Sequence, residues 1–175
     1  QLSDLEAAEA ALQRALEEME RFLERRFHET FQAVAQGFAR YFASFFPGGE
    51  ARLRLTDGPE PGVEMSARPP GKRVRTLNQL SGGERALTAL AFLFALLDAN
   101  PFPFCVLDEA DAMLDEANVV RFAQGLRELS RQIQFIVVTH NRKTIEAADA
   151  VYGISMGPDG ASRVISLRLS DVAAG

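Results

Sequence analysis

Residues 1–46 contain no proline and only one glycine, Gly37. That stretch commits a quarter of the chain to a single long helix. Within it Leu5, Leu12 and Met19 recur every seven residues, and Ala8, Ala15 and Phe22 follow each by three. With Glu and Arg filling most other positions, this is the a/d seam of a coiled coil. From Leu23 the seam continues as Phe27, Phe31, Val34, Phe38, Phe42 and Phe45, heavier and at mixed spacings of four and three. A straight helix of this length runs roughly 65–70 Å at 1.5 Å per residue. Its first half carries too narrow an apolar stripe for a globular core helix. The expectation is a helix that begins as a coiled-coil strand needing a partner and ends docked on a core. The alternative is an amphipathic helix lying on its own domain throughout. Pro47–Gly48–Gly49 stops it.

Beyond that stop the pattern changes twice. "ARLRLTD" (51–57) and "GVEMSARP" (62–69) alternate apolar and polar residues around a Gly/Pro-rich turn and read as a hairpin. "PPGKRVR" (69–75) follows as an exposed basic connection, a solvated loop rather than a DNA contact. The remainder alternates helix and strand. Ser81–Ala99, Leu114–Ser130 and Lys143–Ala148 read as helices, and "FPFCVLDEAD" (102–111) and "QIQFIVVTHN" (132–141) as buried strands. "AVYGISM" (150–156) and "SRVISLRL" (162–169) are strands around the turn Gly157–Gly160. Continuous apolar runs with helices between them predict parallel strands covered on both faces, an α/β arrangement.

Composition narrows the classes. Hydrophobic residues at 47% and charged residues at 25% are ordinary for a globular protein. A net charge of −5 argues against a wholly basic nucleic-acid wrapper, while leaving room for a local basic patch. The lone cysteine, Cys105, permits no internal disulfide and fits a reducing compartment. No uncharged apolar run approaches the ~18 residues of a membrane span; the longest, Ala86–Leu97, is a buried helix. A chain starting at Gln1 with no methionine or signal-like segment reads as a piece of something longer.

The chemistry sits at the ends of the runs. Gly82–Gly83 open a helix, where unpaired N–H groups and a partial positive charge suit a phosphate. Yet no GxxxxGK[ST] loop exists. The one Gly-Lys pair, Gly71–Lys72, follows two prolines, precedes Arg73, and has Ser66 where the first glycine belongs. Ligands of parallel sheets gather at the carboxyl ends of strands. After Phe104–Leu107 come Asp108 and Glu109; after Ile136–Val138 come Thr139, His140 and Asn141. One strand-end carboxylate suits magnesium, which prefers few carboxylates, several waters and substrate phosphates, and the next can reach a water. Two solvent-facing acids capping a helix is the competing reading. His140, beside that edge, is a candidate for a phosphate contact.

"LSGGE" (80–84), "CVLDE" (105–109), "LD" (114–115) and "VVTH" (137–140) stand in a fixed order. Together they resemble the C-terminal half of an ABC-type ATPase: signature motif, Walker B with its catalytic glutamate, D-loop and switch histidine. Within that superfamily, "PPGKRVRTLNQLSGGERALTALAFLFAL", "PFPFCVLDEADAMLDEANVVRFAQGL" and "QFIVVTHNRKTIEAADAVYGISM" are similar to the C-terminal head segment of a bacterial SMC protein, a chromosome-organising ATPase. The resemblance implies an α/β fold. It would be the C-terminal lobe of an ABC-type head (47–175), a mostly parallel sheet flanked by helices, with a small hairpin and a coiled-coil neck helix (1–46) entering it.

It also implies where the rest of the nucleotide site lies. SMC chains fold back at a distant hinge, so an N-terminal Walker A lobe of the same polypeptide meets this segment in space. A second head then completes the site in an ATP-dependent homodimer. On that analogy Ser81, Gly82, Gly83 and Glu84 address ATP held by the opposing head, and Asp115 sits at the head–head seam. Asp108 orients Mg2+ through its water shell, Glu109 positions or polarises the attacking water, and His140 contacts the γ-phosphate. The implied activity is ATP hydrolysis in the composite head, driving chromosome condensation and segregation, with this segment alone inactive. A kleisin-type bridging subunit and DNA are the implied partners, and the cytoplasm, on the nucleoid, the place. The signature ends in Glu84, as is usual in SMCs, where transporters commonly carry glutamine. The alternatives are an SMC-like DNA-repair ATPase and a non-enzymatic coiled-coil interaction module.

Overall fold

The computed structural model describes residues 2–56, 62–73 and 75–168. The side chain of Leu5, the hairpin turn at 57–61 and strand residue Leu169 lie outside the described residues. The order is α1 (Leu2–Phe45), β1 (Glu50–Thr56), β2 (Gly62–Arg68), β3 (Arg75–Thr76), a 3-10 turn at Leu77–Gln79, α2 (Gly82–Ala99), β4 (Phe104–Asp108), α3 (Glu116–Leu129), β5 (Gln134–Val138), α4 (Arg142–Glu146), β6 (Ala150–Met156) and β7 (Ser162–Arg168).

Helix α1 changes character along its length, as its seam does. Leu12 and Met19 are 63% and 60% exposed, and Phe22 and Phe27 are exposed with them. From Val34 the stripe is buried: Phe38, Phe42 and Phe45 are fully enclosed. The helix ends where Gly48 takes φ +83°, a left-handed conformation that glycine adopts without penalty. Gly49 then lets β1 turn back closely, since a Cβ there would stand 2.9 Å from the Phe42 ring and 3.0 Å from the Arg68 carbonyl.

The core is aromatic. Phe94 of α2 meets Tyr41 and Phe45 edge-on, with centroids 5.7 and 5.6 Å apart, and stacks on Phe122 of α3 at 5.8 Å. Helices α2 and α3 reach it with buried stripes at helical spacing, Leu87–Leu90–Ala91–Phe94 and Val119–Phe122–Ala123–Leu126. Each fully buried ring contributes about 1.5–3 kcal/mol over exposure. Arg121 donates to the Phe45 carbonyl at 3.2 Å, satisfying one of the open C-terminal groups of α1 from α3.

Strands β1, β2 and β3 form an antiparallel sheet in that order, which packs Ala51, Leu53 and Ala67 under the end of α1. The two-residue β3 was not legible in the sequence. Strands β4 and β5 pair in parallel, from Phe104 opposite Gln134 to Asp108 opposite Val138. The expected cover on both faces is found on one. Leu107, Cys105, Phe135 and Val137 face the core, while Phe104, Val106, Ile136 and Val138 are exposed because no described element lies over them. Strands β6 and β7 make a separate antiparallel pair whose Tyr152, Ile154, Met156 and Val164 are exposed. No described helix is long and apolar enough to cross a membrane.

Candidate functional site

The register of β4 against β5 decides what meets at their carboxyl ends. Asp108 is the last residue of β4 and lies opposite Val138, the last of β5. The next residue, Glu109, donates its N–H to the Val138 carbonyl at 2.8 Å and takes φ +47°. Among the described residues it is the one non-glycine with positive φ. Such a conformation costs of order 1–3 kcal/mol and persists where the surroundings impose it, commonly at functional sites. It turns Glu109 out of the strand line toward the end of β5. Its Oε1 lies 4.0 Å from Nδ1 of His140, with the two side chains 63% and 79% exposed. That gap is too long for a direct hydrogen bond. The two groups flank one solvent-facing edge.

Behind this edge stands a residue that the sequence reading passed over. Asp111 is 2% exposed. Its carboxylate accepts from the Thr139 hydroxyl at 2.8–2.9 Å and from the Thr144 hydroxyl. Thr139 in turn accepts the Asn141 N–H at 2.9 Å. Nothing in the sequence marked Asp111 apart from Asp108 and Glu109; only its burial separates it.

The start of α2 is built as a capping box. Ser81 Oγ accepts the Glu84 N–H at 3.4 Å, while Glu84 Oε2 accepts the Ser81 N–H and hydroxyl, both at 3.0 Å. Lys72, read from sequence as part of a solvated loop, pairs with Glu84 Oε1 at 2.6 Å. This ammonium and the Ser81 N–H hold the Glu84 carboxyl below the usual carboxylate range. A serine three residues before a glutamate is the sequence pattern of such a box, a signal that the sequence reading did not use. The amides of Gly82 and Gly83 remain at the helix start, where the dipole favours an anion. A Cβ on Gly83 would come within 3.3 Å of the Met113 carbonyl, so the loop leaving β4 borders the start of α2. Two residues on, Asp115 caps α3, accepting from the Asn118 N–H at 2.8 Å and its side-chain amide at 3.0 Å.

The fold therefore gathers Asp108, Glu109 and His140 at one strand-end edge. It sets Ser81–Glu84 against the loop that runs from Glu109 to Asp115. Glu84 is engaged within the protein rather than turned outward. No cluster of three His, Cys, Asp or Glu able to hold a metal occurs among the described residues. The exposed Asp108 fits a cation that keeps most of its water and takes one protein carboxylate, as magnesium does.

Residues 4–163 match the family described as RecF/RecN/SMC N terminal domain. The chain is 51% identical over 174 residues to the chromosome partition protein Smc of Bacillus subtilis, covering 98% of this chain and 15% of that protein. It is similar to the Smc head domain with an extended coiled coil, bound to the C-terminal domain of ScpA, from Pyrococcus furiosus. There the identity is 41% and the TM-score 0.87, covering 98% of this chain and 44% of that one. A second similar structure comes from work on ATP-driven dimerization and DNA-stimulated activation of SMC ATPases. It is 44% identical with TM-score 0.76, covering 86% of this chain and 92% of that one. The chain thus spans about a seventh of the length of the curated relatives it matches. It belongs to the RecF/RecN/SMC family, as a segment of an SMC ATPase head.

Proposed function

We propose that this chain supplies the signature motif, Walker B acids, D-loop and switch histidine of a composite ATP site. The protein carrying that site would hydrolyse ATP between two heads to drive chromosome condensation and segregation. The observation that carries the reading is the meeting of Glu109 and His140 at 4.0 Å on adjacent parallel strand ends, with Glu109 held at φ +47°. A buried structural pair would need neither the exposure nor the strain.

ATP and Mg2+ together would supply the reactive phosphoryl group and the cation that offsets its developing charge. Asp108 would hold the water shell of the magnesium. Glu109 would position or polarise the attacking water, a task of orientation and electrostatics. His140 would contact the γ-phosphate. Ser81 and the amides of Gly82 and Gly83 would receive the γ-phosphate of nucleotide bound to an opposing head. Because the Ser81 hydroxyl donates to Glu84 here, that capture would exchange one bond for another. Asp115 would lie at the seam. The Walker A lobe would come from elsewhere in the same polypeptide, and the exposed Phe104, Val106, Ile136 and Val138 support a covering layer on that side of β4–β5. Residues 1–46 would be the coiled-coil strand entering a lobe formed by 47–175. A kleisin resembling ScpA and DNA would be the further partners, in the cytoplasm on the nucleoid.

The test uses a complete head, with this segment alone as a control lacking turnover. Ser81→Arg should abolish ATP-driven head pairing and hydrolysis while each head still binds nucleotide. Glu109→Gln should keep binding and pairing but lower turnover about 10²-fold or more, leaving long-lived ATP-bound dimers visible by light scattering after size exclusion. A Ser81→Arg head that still pairs, or a Glu109→Gln head with parent turnover, would refute the assignment.

A further inference from the structure

A buried carboxylate is costly unless its oxygens are satisfied. Asp111 has no cation among the partners found for it; its side chain is met by two neutral hydroxyls, Thr139 and Thr144. If filling the core were its purpose, an apolar side chain would serve at least as well. What an apolar side chain cannot do is hold both threonines. Thr139 immediately precedes His140, and Thr144 lies in the first turn after the Asn141 cap. Asp111 itself sits two residues beyond Glu109, in a loop closed by Ala112 N–H to the Glu109 carbonyl and Leu114 N–H to the Asp111 carbonyl, both at 3.1 Å. The carboxylate therefore bridges the loop that carries Glu109 and the loop that carries His140, gripping the second on both sides of the histidine.

We propose that Asp111 is a positioning residue for hydrolysis. By tying Thr139 and Thr144 to the loop after β4, it fixes the spacing of Glu109 and His140 while touching neither nucleotide nor water. This rests on the catalytic assignment of Glu109 and His140 above, although the tie itself can be tested apart from activity. The hydroxyls orient the whole chain of contacts. Thr139 donates its one proton to Asp111 and so presents lone pairs to the Asn141 N–H, which sets the turn on which His140 stands.

The experiment uses the complete head with Asp111→Asn, Thr144→Val, Thr144→Ser, and the double variant Asp111→Asn/Thr144→Val. Thr144→Val keeps volume, so a folding failure of Asp111→Asn would not remove the test. Amide hydrogen exchange across 139–144 should quicken in Asp111→Asn and Thr144→Val and stay near the parent in Thr144→Ser, which keeps the hydroxyl. Turnover should follow the same order. We expect kcat to fall roughly ten- to a hundredfold at unchanged KM for ATP, and the double variant to be little worse than the poorer single. Exchange in 139–144 that stays at the parent rate overturns the tie. Faster exchange with parent kcat overturns its role in positioning. A parent head without turnover would refute the proposed function instead, and exchange alone would then decide whether Asp111 tethers the loop.

Discussion

Gly125 lies in the middle of α3, where alanine would ordinarily stabilise a helix by about 0.5–1 kcal/mol. Here the sign should reverse. A Cβ at this position would stand 2.7 Å from Cε2 and 3.2 Å from Cδ2 of Phe94, and 3.2 Å from Cε1 of Phe45. Neither ring has room to retreat. Phe94 is fully buried between Tyr41, Phe45 and Phe122, and Phe45 is held in turn by Phe94. Overpacking of this kind costs about 1–3 kcal/mol. The 2.7 Å approach puts the cost in the upper part of that range, about 2–3 kcal/mol; less the propensity gain of about 0.5–1 kcal/mol, Gly125→Ala should lose about 1–2.5 kcal/mol, or roughly 2–10 °C in Tm for a domain of this size. Urea and thermal unfolding of the purified protein measure it directly. Phe94→Leu, which removes the obstructing ring edge, should couple to it, so that the double variant loses less than the sum of the two singles. A Gly125→Ala protein as stable as the parent, or strictly additive losses, would refute the claim that α3 touches the aromatic cluster through the space this glycine leaves.

Two further predictions concern α1 and the start of α2. Leu12→Glu and Met19→Glu should change the stability of the isolated chain by no more than about 0.5 kcal/mol, whereas Phe42→Ala should cost about 3–5 kcal/mol; comparable losses at the two ends would contradict the division of the helix. The depressed carboxyl of Glu84 makes the capping box pH-dependent. Its contribution should be present above the usual carboxylate range and lost as pH falls through the lowered value. The gap in stability between parent and Glu84→Gln, about 1 kcal/mol at neutral pH, should therefore close in acid, and a gap independent of pH would count against the box.

The parts of the fold that the sequence carried openly were those governed by a period. The seam of α1, the alternation of β1 and β2, and the apolar runs of β4 and β5 each follow from where side chains point on a helix or strand. Which faces of β4–β5 are packed within this segment was not legible, because a run such as Phe135–Val138 reads alike whether one face or two are packed. The site was legible as chemistry at strand ends, since parallel topology brings residues after one strand beside those after the next. Its supports were not legible. The inward turn of Asp111, the reach of Lys72 to Glu84 and the strained backbone of Glu109 depend on contacts between segments far apart in sequence, and no local pattern encodes them.

The bond from Arg121 to the last carbonyl of α1 fastens that helix to α3, the helix that Asp115 caps. Helix α1 has 44 residues, about 66 Å at 1.5 Å per residue, and its enclosed part is confined to the last three turns. Mechanically it is a lever with a short clamped base. A tilt of about five degrees at that base would sweep the far end through about 4 Å, over the roughly 48 Å of helix that precedes Val34. A shift of about 1–2 Å across the base where α3 meets Phe45 thus becomes a displacement approaching a helix turn at the far end of α1.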